Sequence, residues 1–340
     1  MKDFHIQWHI TNNCNLRCLH CYQDNFSTNK ELGWPELKRV ADNVISTIEK
    51  WEANLTVSLT GGEPFLKKEL FELINYFSSW SSVSSVNIIT NATLIDRFMK
   101  PLIEVKEKID KIYFSLEGIT PETNDYIRGE GVFERVLKNI ETLKKEGFEL
   151  LLMFTLLRRN LEEAKDLIDF SRALGIKGFI LERFIPLGQS QRIKDTQLIS
   201  PFQLRRVYRE IFSNVGVDFF EEAVKFHALK VEFEDKKASL FGAECIVGKY
   251  GCAIMPQGEV LPCRRFYLEV GNLLKKPLLE IWSNSQVLHI LRDKRNLKGV
   301  CLECEVEGCR GCRALAYALG GDYLSSDPLC WLTLDEGRLL

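Results

Sequence analysis

The sequence predicts an α/β protein, a partial, TIM-like (β/α)6 barrel followed by a small cysteine-rich domain. Three observations carry this reading. Six short β-rich runs alternate with helix-length segments in the first part of the chain, the pattern of βαβ units around a parallel sheet. The glycine-rich and polar motifs fall at the carboxyl ends of those runs, where a β/α barrel builds its site. Eight of the eleven cysteines lie between Cys245 and Cys330, in a region of short apolar runs and many glycines.

The strand candidates are His5–Ile10, Leu55–Thr60, Val86–Thr90, Ile112–Leu116, Leu150–Thr155 and Gly178–Leu181. Helix signals lie between them. Thr120-Pro121-Glu122 places a cap, then proline at the first helical position, then an acid in the positive first turn. Gly147 and Gly175 stand where helix stops are expected. Asn160-Leu161-Glu162-Glu163 and Ser200-Pro201-Phe202-Gln203 read as capping boxes, the second opening a helix to about Asn214. The polar stretch Leu187–Thr196 reads as the exit from the barrel. The predicted domains are thus 1–190 for the barrel, 191–235 for a helical bridge and 236–340 for the cysteine-rich domain, which is too sparse in hydrophobes for a large core of its own and is expected to fold around metals.

Composition narrows the function. The chain has 340 residues, 45% hydrophobic and 27% charged, inside the globular range, so it is neither disordered nor collagenous. A net charge of -2 lacks the basic footprint that nucleic acid or an anionic membrane requires. The longest apolar run, Leu150–Leu157, is of strand length, and the amino terminus has no apolar signal segment; a cytoplasmic location is expected. An odd number of cysteines in a chain of this size points to metal or redox chemistry rather than disulfides.

Directly after the first strand, Cys14, Cys18 and Cys21 form a C-x3-C-x2-C loop. Three thiolates fit either a zinc site completed by His9 or His20, or a cubane cluster with one open iron that a small amine and carboxylate ligand would chelate. Gly61-Gly62-Glu63-Pro64 follows at the second strand end, Thr90-Asn91-Ala92 at the third, and Ser115-Leu116-Glu117-Gly118 at the fourth. Asn124-Asp125-Tyr126-Ile127-Arg128-Gly129 comes next. Together these motifs resemble the radical S-adenosylmethionine (SAM) superfamily, with Ala92 for glycine, Glu117 for aspartate and Asn124 for histidine as departures.

The resemblance implies a [4Fe-4S] cluster on Cys14, Cys18 and Cys21 whose free iron binds SAM and reductively cleaves it to methionine and a 5′-deoxyadenosyl radical. It implies SAM contacts from Gly61, Gly62, Glu63 and Pro64 and from Asn91, with Ser115 and Arg128 candidates for the SAM carboxylate. Two glycines allow close backbone approach, Glu63 offers negative charge to an ammonium, and a guanidinium fork suits a carboxylate. The segment Leu181–Pro186 closes the sixth strand where the family packs adenine and admits substrate, which makes Leu181 and Arg183 candidates; a barrel-rim ion pair is the other reading of Arg183.

Cys245, Gly258 and Cys263, followed by the crowded quartet Cys301, Cys304, Cys309 and Cys312 and a last Cys330, resemble the SPASM extension of that superfamily. The resemblance implies two auxiliary [4Fe-4S] clusters, one on Cys245, Cys252, Cys263 and Cys312 and one on Cys301, Cys304, Cys309 and Cys330, making three in all. The quartet is shorter than the usual spacing, so this partition stays open, and zinc ribbons are the alternative chemistry for paired C-x2-C units. Sulfatase-maturing relatives carry aspartate after the third auxiliary cysteine; Arg264 and Arg265 stand there instead, so formylglycine formation is not expected.

The leading expectation is oxidative maturation of a peptide or protein side chain, with an electron donor such as flavodoxin or ferredoxin. Because the first strand opens by His5, a leader-binding protein is expected as a separate partner. Oxidation of a small molecule such as a tetrapyrrole side chain is the alternative, and a non-catalytic zinc-binding module is the alternative of another class.

Overall fold

In the computed structural model, which describes residues 3–235 and 237–332, six strands run parallel in chain order. They are β1 (Asp3–His9), β2 (Asn54–Thr60), β3 (Val83–Thr90), β4 (Lys111–Ser115), β5 (Leu150–Leu156) and β6 (Gly178–Arg183). Each lies within a few residues of its expected run. Strand β5 reads as a continuous apolar stretch because it is covered on both faces, as parallel strands are.

The crossover helices are α1 (Trp34–Lys50), α2 (Leu70–Ser78), α3 (Ile95–Glu104), α4 (Pro121–Arg128), α5 (Val132–Lys145) and α6 (Leu167–Leu174). Helix α1 shows why: Leu37, Val40, Ala41, Val44, Ile45 and Ile48 recur on one face and all are buried. The Thr120 hydroxyl accepts from the Thr123 N–H with Pro121 at the first position, and Gly175 ends α6 in the left-handed conformation.

The capping box read at Asn160 does not form. Its side-chain oxygen accepts from the Leu157 N–H at 2.7 Å, and its amide donates to the carbonyls of Thr155 and Glu117 at 2.9 and 3.1 Å. The residue therefore closes the turn after β5, and α6 starts later, at Leu167.

The expected bridge holds α7 (Lys194–Gln197) and α8 (Pro201–Asn214), the latter with the full Ser200–Gln203 capping box, but it is not wholly helical. It ends in β7 (Ala228–Glu234), which pairs antiparallel with β6 and then with β8 (Lys237–Ala243). The 235/236 boundary thus falls inside a hairpin. On the opposite edge β9 (Gly251–Ile254) pairs parallel with β1, followed by antiparallel β10 (Glu259–Leu261) and β11 (Gly271–Asn272). The result is one eleven-stranded sheet in the order β11-β10-β9-β1-β2-β3-β4-β5-β6-β7-β8.

Helices α9 (Leu278–Asn284), α10 (Gln286–Arg292), α11 (Val300–Glu303) and α12 (Arg313–Gly320) complete the cysteine-rich lobe. The lobe does not depend on metals alone: Phe266, Leu278, Ile281, Leu315 and Trp331 belong to the same buried cluster as Trp8, Phe77 and Phe114 of the barrel. Among the described residues, no helix is long and apolar enough to cross a membrane.

A buried ion pair joins barrel and lobe. Arg183, at the end of β6, donates to Asp327 at 3.1 Å and to the carbonyls of Val224 and Phe226 at 2.7 Å each, and both charged side chains are 2% exposed. Asp327 also accepts the N–H groups of Cys312 and Leu329. Removing one partner strands the other charge, so Asp327→Ala should cost about 3–5 kcal/mol, read as a lower urea midpoint.

Candidate active site

Between His9 and Cys14 the chain crosses the end of β2, and Gly61 and Gly62 make that crossing possible. Gly61 has φ 153°, and a Cβ there would lie 2.4 Å from the Thr11 carbonyl oxygen; one on Gly62 would lie 2.3 Å from that of Asn13. The Gly62 and Glu63 N–H groups donate to those two carbonyls at 2.8 and 2.7 Å. The motif suggests approach to a ligand, but the closest approach is to the cysteine loop itself. Glu31 fastens the same crossing, accepting the Thr11 hydroxyl at 2.9 Å and the Asn12 N–H at 2.6 Å.

Two more contacts hold the loop. The Leu19 N–H donates to Ile127 of α4, and the Ser190 N–H donates to the Cys21 carbonyl at 3.0 Å. Gly188, in the left-handed region at φ 59°, leaves room where a Cβ would meet the Tyr22 carbonyl at 2.4 Å. The polar segment after β6 is therefore a cover on the cysteine loop as well as an exit from the barrel.

Cys14, Cys18 and Cys21 line one cavity of about 130 Å³ at the carboxyl ends of the strands. Gly61, Gly62, Asn91, Ser115 and Arg128 line it with them. The other four predicted contacts do not. Glu63 is fully buried and accepts the Thr90 hydroxyl at 2.7 Å, the Asn91 N–H at 2.8 Å and the Phe65 N–H at 3.3 Å. Its carboxylate braces the ends of β2 and β3. Burial raises its pKa to about 7, against the lowering effect of those donors. Pro64 is buried at the start of a single 3-10 turn, Leu181 points into the core, and Arg183 serves the ion pair with Asp327.

Ala92 has φ 58°, the left-handed region that favours glycine, which accounts for the glycine in the motif it departs from. Its carbonyl is held by the Asn139 amide at 2.7 Å.

Glu117, to which the sequence motifs assign no role, organises the cavity wall. Its carboxylate pairs with the Arg128 Nε and lies 3.3 Å from the His20 Nε2. Arg128 in turn reaches toward the Cys18 sulfur at 4.0 Å. Burial opposes the Glu117 charge, but Arg128 and then His20 outweigh it and hold the carboxyl below its usual range. Asn124, in the place of the family's histidine, accepts the Glu117 N–H at 3.0 Å. Glu182, Arg264 and Arg265 also line this cavity, and no local sequence signal marks them as ligand contacts, because only the fold brings β6 to the turn after Cys263.

The eight later cysteines fall into two groups. Cys301, Cys304, Cys309 and Cys330 line one small cavity of about 10 Å³. Cys245, Cys263 and Cys312 line a larger one of about 460 Å³, whereas Cys252 lies buried on β9 and does not line it. None of the eleven is in a disulfide. Burial pushes the thiols of Cys18, Cys252, Cys312 and Cys330 up to about 12, so they ionise only with a cation to hold. The Asp327 N–H and Arg313 point at the Cys301 sulfur from 3.3 and 3.4 Å, and the Asp327 carboxylate is engaged elsewhere. Soft donors supported by N–H···S contacts fit iron-sulfur clusters.

Residues 8–171 match the radical SAM superfamily and residues 245–305 match SPASM, an iron-sulfur cluster-binding domain. The AdoMet-dependent heme synthase of Methanosarcina barkeri is 30% identical over 348 residues, covering 96% of this chain and 95% of that protein. The mycofactocin maturase MftC of Mycolicibacterium smegmatis is 25% identical over 333 residues, covering 96% and 82%. In structure, Streptococcus suis SuiB bound to S-adenosylmethionine superposes with a TM-score of 0.72 at 17% identity, over 97% of this chain and 77% of that one. The chain belongs to the radical SAM superfamily and carries a SPASM domain. It is an enzyme of that class, whose cofactors are SAM and iron-sulfur clusters.

Glu63 yields a pH prediction. Its folded pKa lies above the unfolded value of 4.5, so the folded state holds the extra proton and stability falls as pH rises from about 4.5 through about 7. Glu63→Gln removes that slope. Urea unfolding at pH 5 and pH 8 should show wild type losing up to about 3 kcal/mol relative to the variant across this interval; parallel curves would exclude titration of Glu63.

Proposed function

We propose that this enzyme carries out SAM-dependent radical oxidation of a carboxylate-bearing tetrapyrrole side chain. The observation that carries the substrate class is the wall of Arg264 and Arg265 against Glu182, shared by the cavity of Cys14, Cys18 and Cys21 and the cavity of about 460 Å³ whose Cys245, Cys263 and Cys312 would hold an auxiliary cluster. The heme synthase relative, matched end to end, supports the same class.

Cys14, Cys18 and Cys21 would hold the SAM-binding cluster, and the later cysteines two auxiliary clusters, one on Cys301, Cys304, Cys309 and Cys330 and the other on Cys245, Cys263 and Cys312, with Cys252 grouped there by spacing but lying on β9 outside their cavity. When bound, the first cluster supplies the electron that divides SAM into methionine and a 5′-deoxyadenosyl radical. Gly61, Gly62, Asn91 and Ser115 shape the SAM cavity. Arg128, held by Glu117, presents its remaining edge to the SAM carboxylate. The apolar Met153, Phe184 and Ile185 on the cavity wall limit water near the reacting carbon. The auxiliary clusters, held by the later cysteines, would supply an acceptor for the electron left by hydrogen abstraction, and a flavodoxin or ferredoxin would supply the reducing electron.

Peptide maturation is the second reading, favoured by the match to MftC along 96% of this chain; a separate leader-binding protein would then be a partner. One experiment separates the two. Anaerobically reconstituted enzyme should contain about twelve iron and twelve sulfide, four per cluster, and its 5′-deoxyadenosine formation should rise on adding iron-coproporphyrin III. A rise with a peptide encoded beside the enzyme, and none with the porphyrin, would replace the first reading by the second.

A further inference from the structure

We propose that Arg264 and Arg265, held by Glu182, form a binding site for one substrate carboxylate at the wall shared by the two cavities. The inference deepens the tetrapyrrole reading, and names the chemistry that orients the substrate.

The two arginines follow Cys263 and occupy the corner of a tight turn, closed by the Phe266 N–H donating to the Cys263 carbonyl at 2.9 Å. Glu182 of β6 accepts one N–H from each, both at 2.8 Å. A third contact, from Arg265 to the Arg183 carbonyl at 3.0 Å, fixes the second guanidinium. The Arg264 guanidinium also lies 5.6 Å from the centre of the Tyr22 ring, next to Cys21. The side chains of Arg264, Arg265 and Glu182 are 8%, 17% and 13% exposed, and all three line both cavities.

Two guanidiniums share one carboxylate, which leaves a surplus positive charge. The other two arginines of the larger cavity are committed elsewhere. Arg183 is matched by Asp327, and Arg313 donates to the carbonyls of Tyr323 and Ser325 and to the Cys301 sulfur. Among the described residues only Glu182 accepts from Arg264, and the Arg265 Nε is buried without a partner. The nearby imidazoles are held neutral, His5 with a pKa of about 4 and His9 of about 3, through burial and then the charge of Arg264. The local excess is therefore arginine charge, independent of pH through the neutral range.

A carboxylate on this wall completes the charge balance and can receive a forked pair of hydrogen bonds. The carbon chain that bears it then extends into the cavity of Cys14, Cys18 and Cys21. A propionate of a tetrapyrrole and an acidic side chain of a peptide share this chemistry.

Coproporphyrin III and its tetramethyl ester, titrated into reconstituted enzyme with SAM and followed by the Soret band, test the site on wild type, Arg264→Gln, Arg265→Gln and Arg264→Lys. The acid should bind, with its Kd raised about 10-fold or more in each Gln variant and less in Arg264→Lys, while binding of the ester is indifferent to the substitutions. Near-UV circular dichroism identifies any variant that fails to fold, and Arg264→Lys keeps the charge if Arg264→Gln is lost. Acid binding that no variant weakens overturns the carboxylate site and leaves the tetrapyrrole reading standing. If coproporphyrin does not bind at all, the tetrapyrrole reading fails, and calorimetry with glutarate and its diamide decides the site: glutarate binding lost in the Gln variants supports it, and no glutarate binding to wild type overturns it.

Discussion

The cysteine loop rests on the end of β2 through two backbone contacts that tolerate no side chain. With a Cβ on Gly61 or Gly62, the carbonyls of Thr11 and Asn13 would be pushed away by more than an exposed loop could absorb without losing both hydrogen bonds. Everything downstream depends on that seating. It sets the height of Cys14 above β2, brings Asn15 to the Asn91 amide at 2.9 Å, and puts Tyr22 against His9 at 3.2 Å. The glycines thus act first on the protein and only through it on a ligand, a division that a linear motif does not reveal.

Around this seat, buried charge is arranged to suit anions that the side chains supply only in part. Arg128, Arg183, Arg310 and Arg313 are all buried. Glu117 and Asp327 neutralise two of them, while Arg310 and Arg313 donate to backbone carbonyls of the lobe. Thiols forced up to about 12 by burial are poor anions, and arginines without counter-charge are costly to bury. Each cost is the remedy for the other once the cysteines are ionised. The lobe's apolar contacts with the barrel core position the two sets of groups before that happens, so the fold and the cofactor sites reinforce one another without the lobe being held by metal alone.

What the sequence makes legible follows from locality. The six strands, the Ser200 cap and the cysteine loop depend on periodicity and spacing within a short window, and all are found close to where they are expected. Asn160 fails for the opposite reason. Its side chain has a local partner at Leu157 but also a distant one at Glu117, and this tertiary contact outcompetes the cap. Arg183 and Leu181 sit in a motif-bearing stretch, yet alternation along β6 turns Leu181 into the core, and the lobe claims Arg183. Strand β7 was hidden in a segment dominated by helix signals, because edge pairing with β6 is a property of the sheet and not of the segment. Cys252 shows the limit from the other side: its spacing groups it with Cys245 and Cys263, while its strand places it on β9 beside β1, away from the cavity the others line.

The departures from the family motifs are mutually consistent. Glutamate at position 117 is one methylene longer than aspartate, and its two oxygens reach two groups, the Arg128 guanidinium from α4 and the His20 imidazole from within the cysteine loop. Asn124, lacking an imidazole's charge, accepts the Glu117 N–H and so fixes the backbone from which that longer side chain projects. A histidine there, when protonated, would add a positive group beside a carboxylate already balanced by Arg128. The same economy holds across the cavity, where Glu182 reaches Arg264 and Arg265. The two glutamates differ in what they leave over. Glu117 faces one permanent cation and a histidine, whereas Glu182 faces two permanent cations, so only the Glu182 side of the cavity keeps a fixed positive charge for an incoming anion.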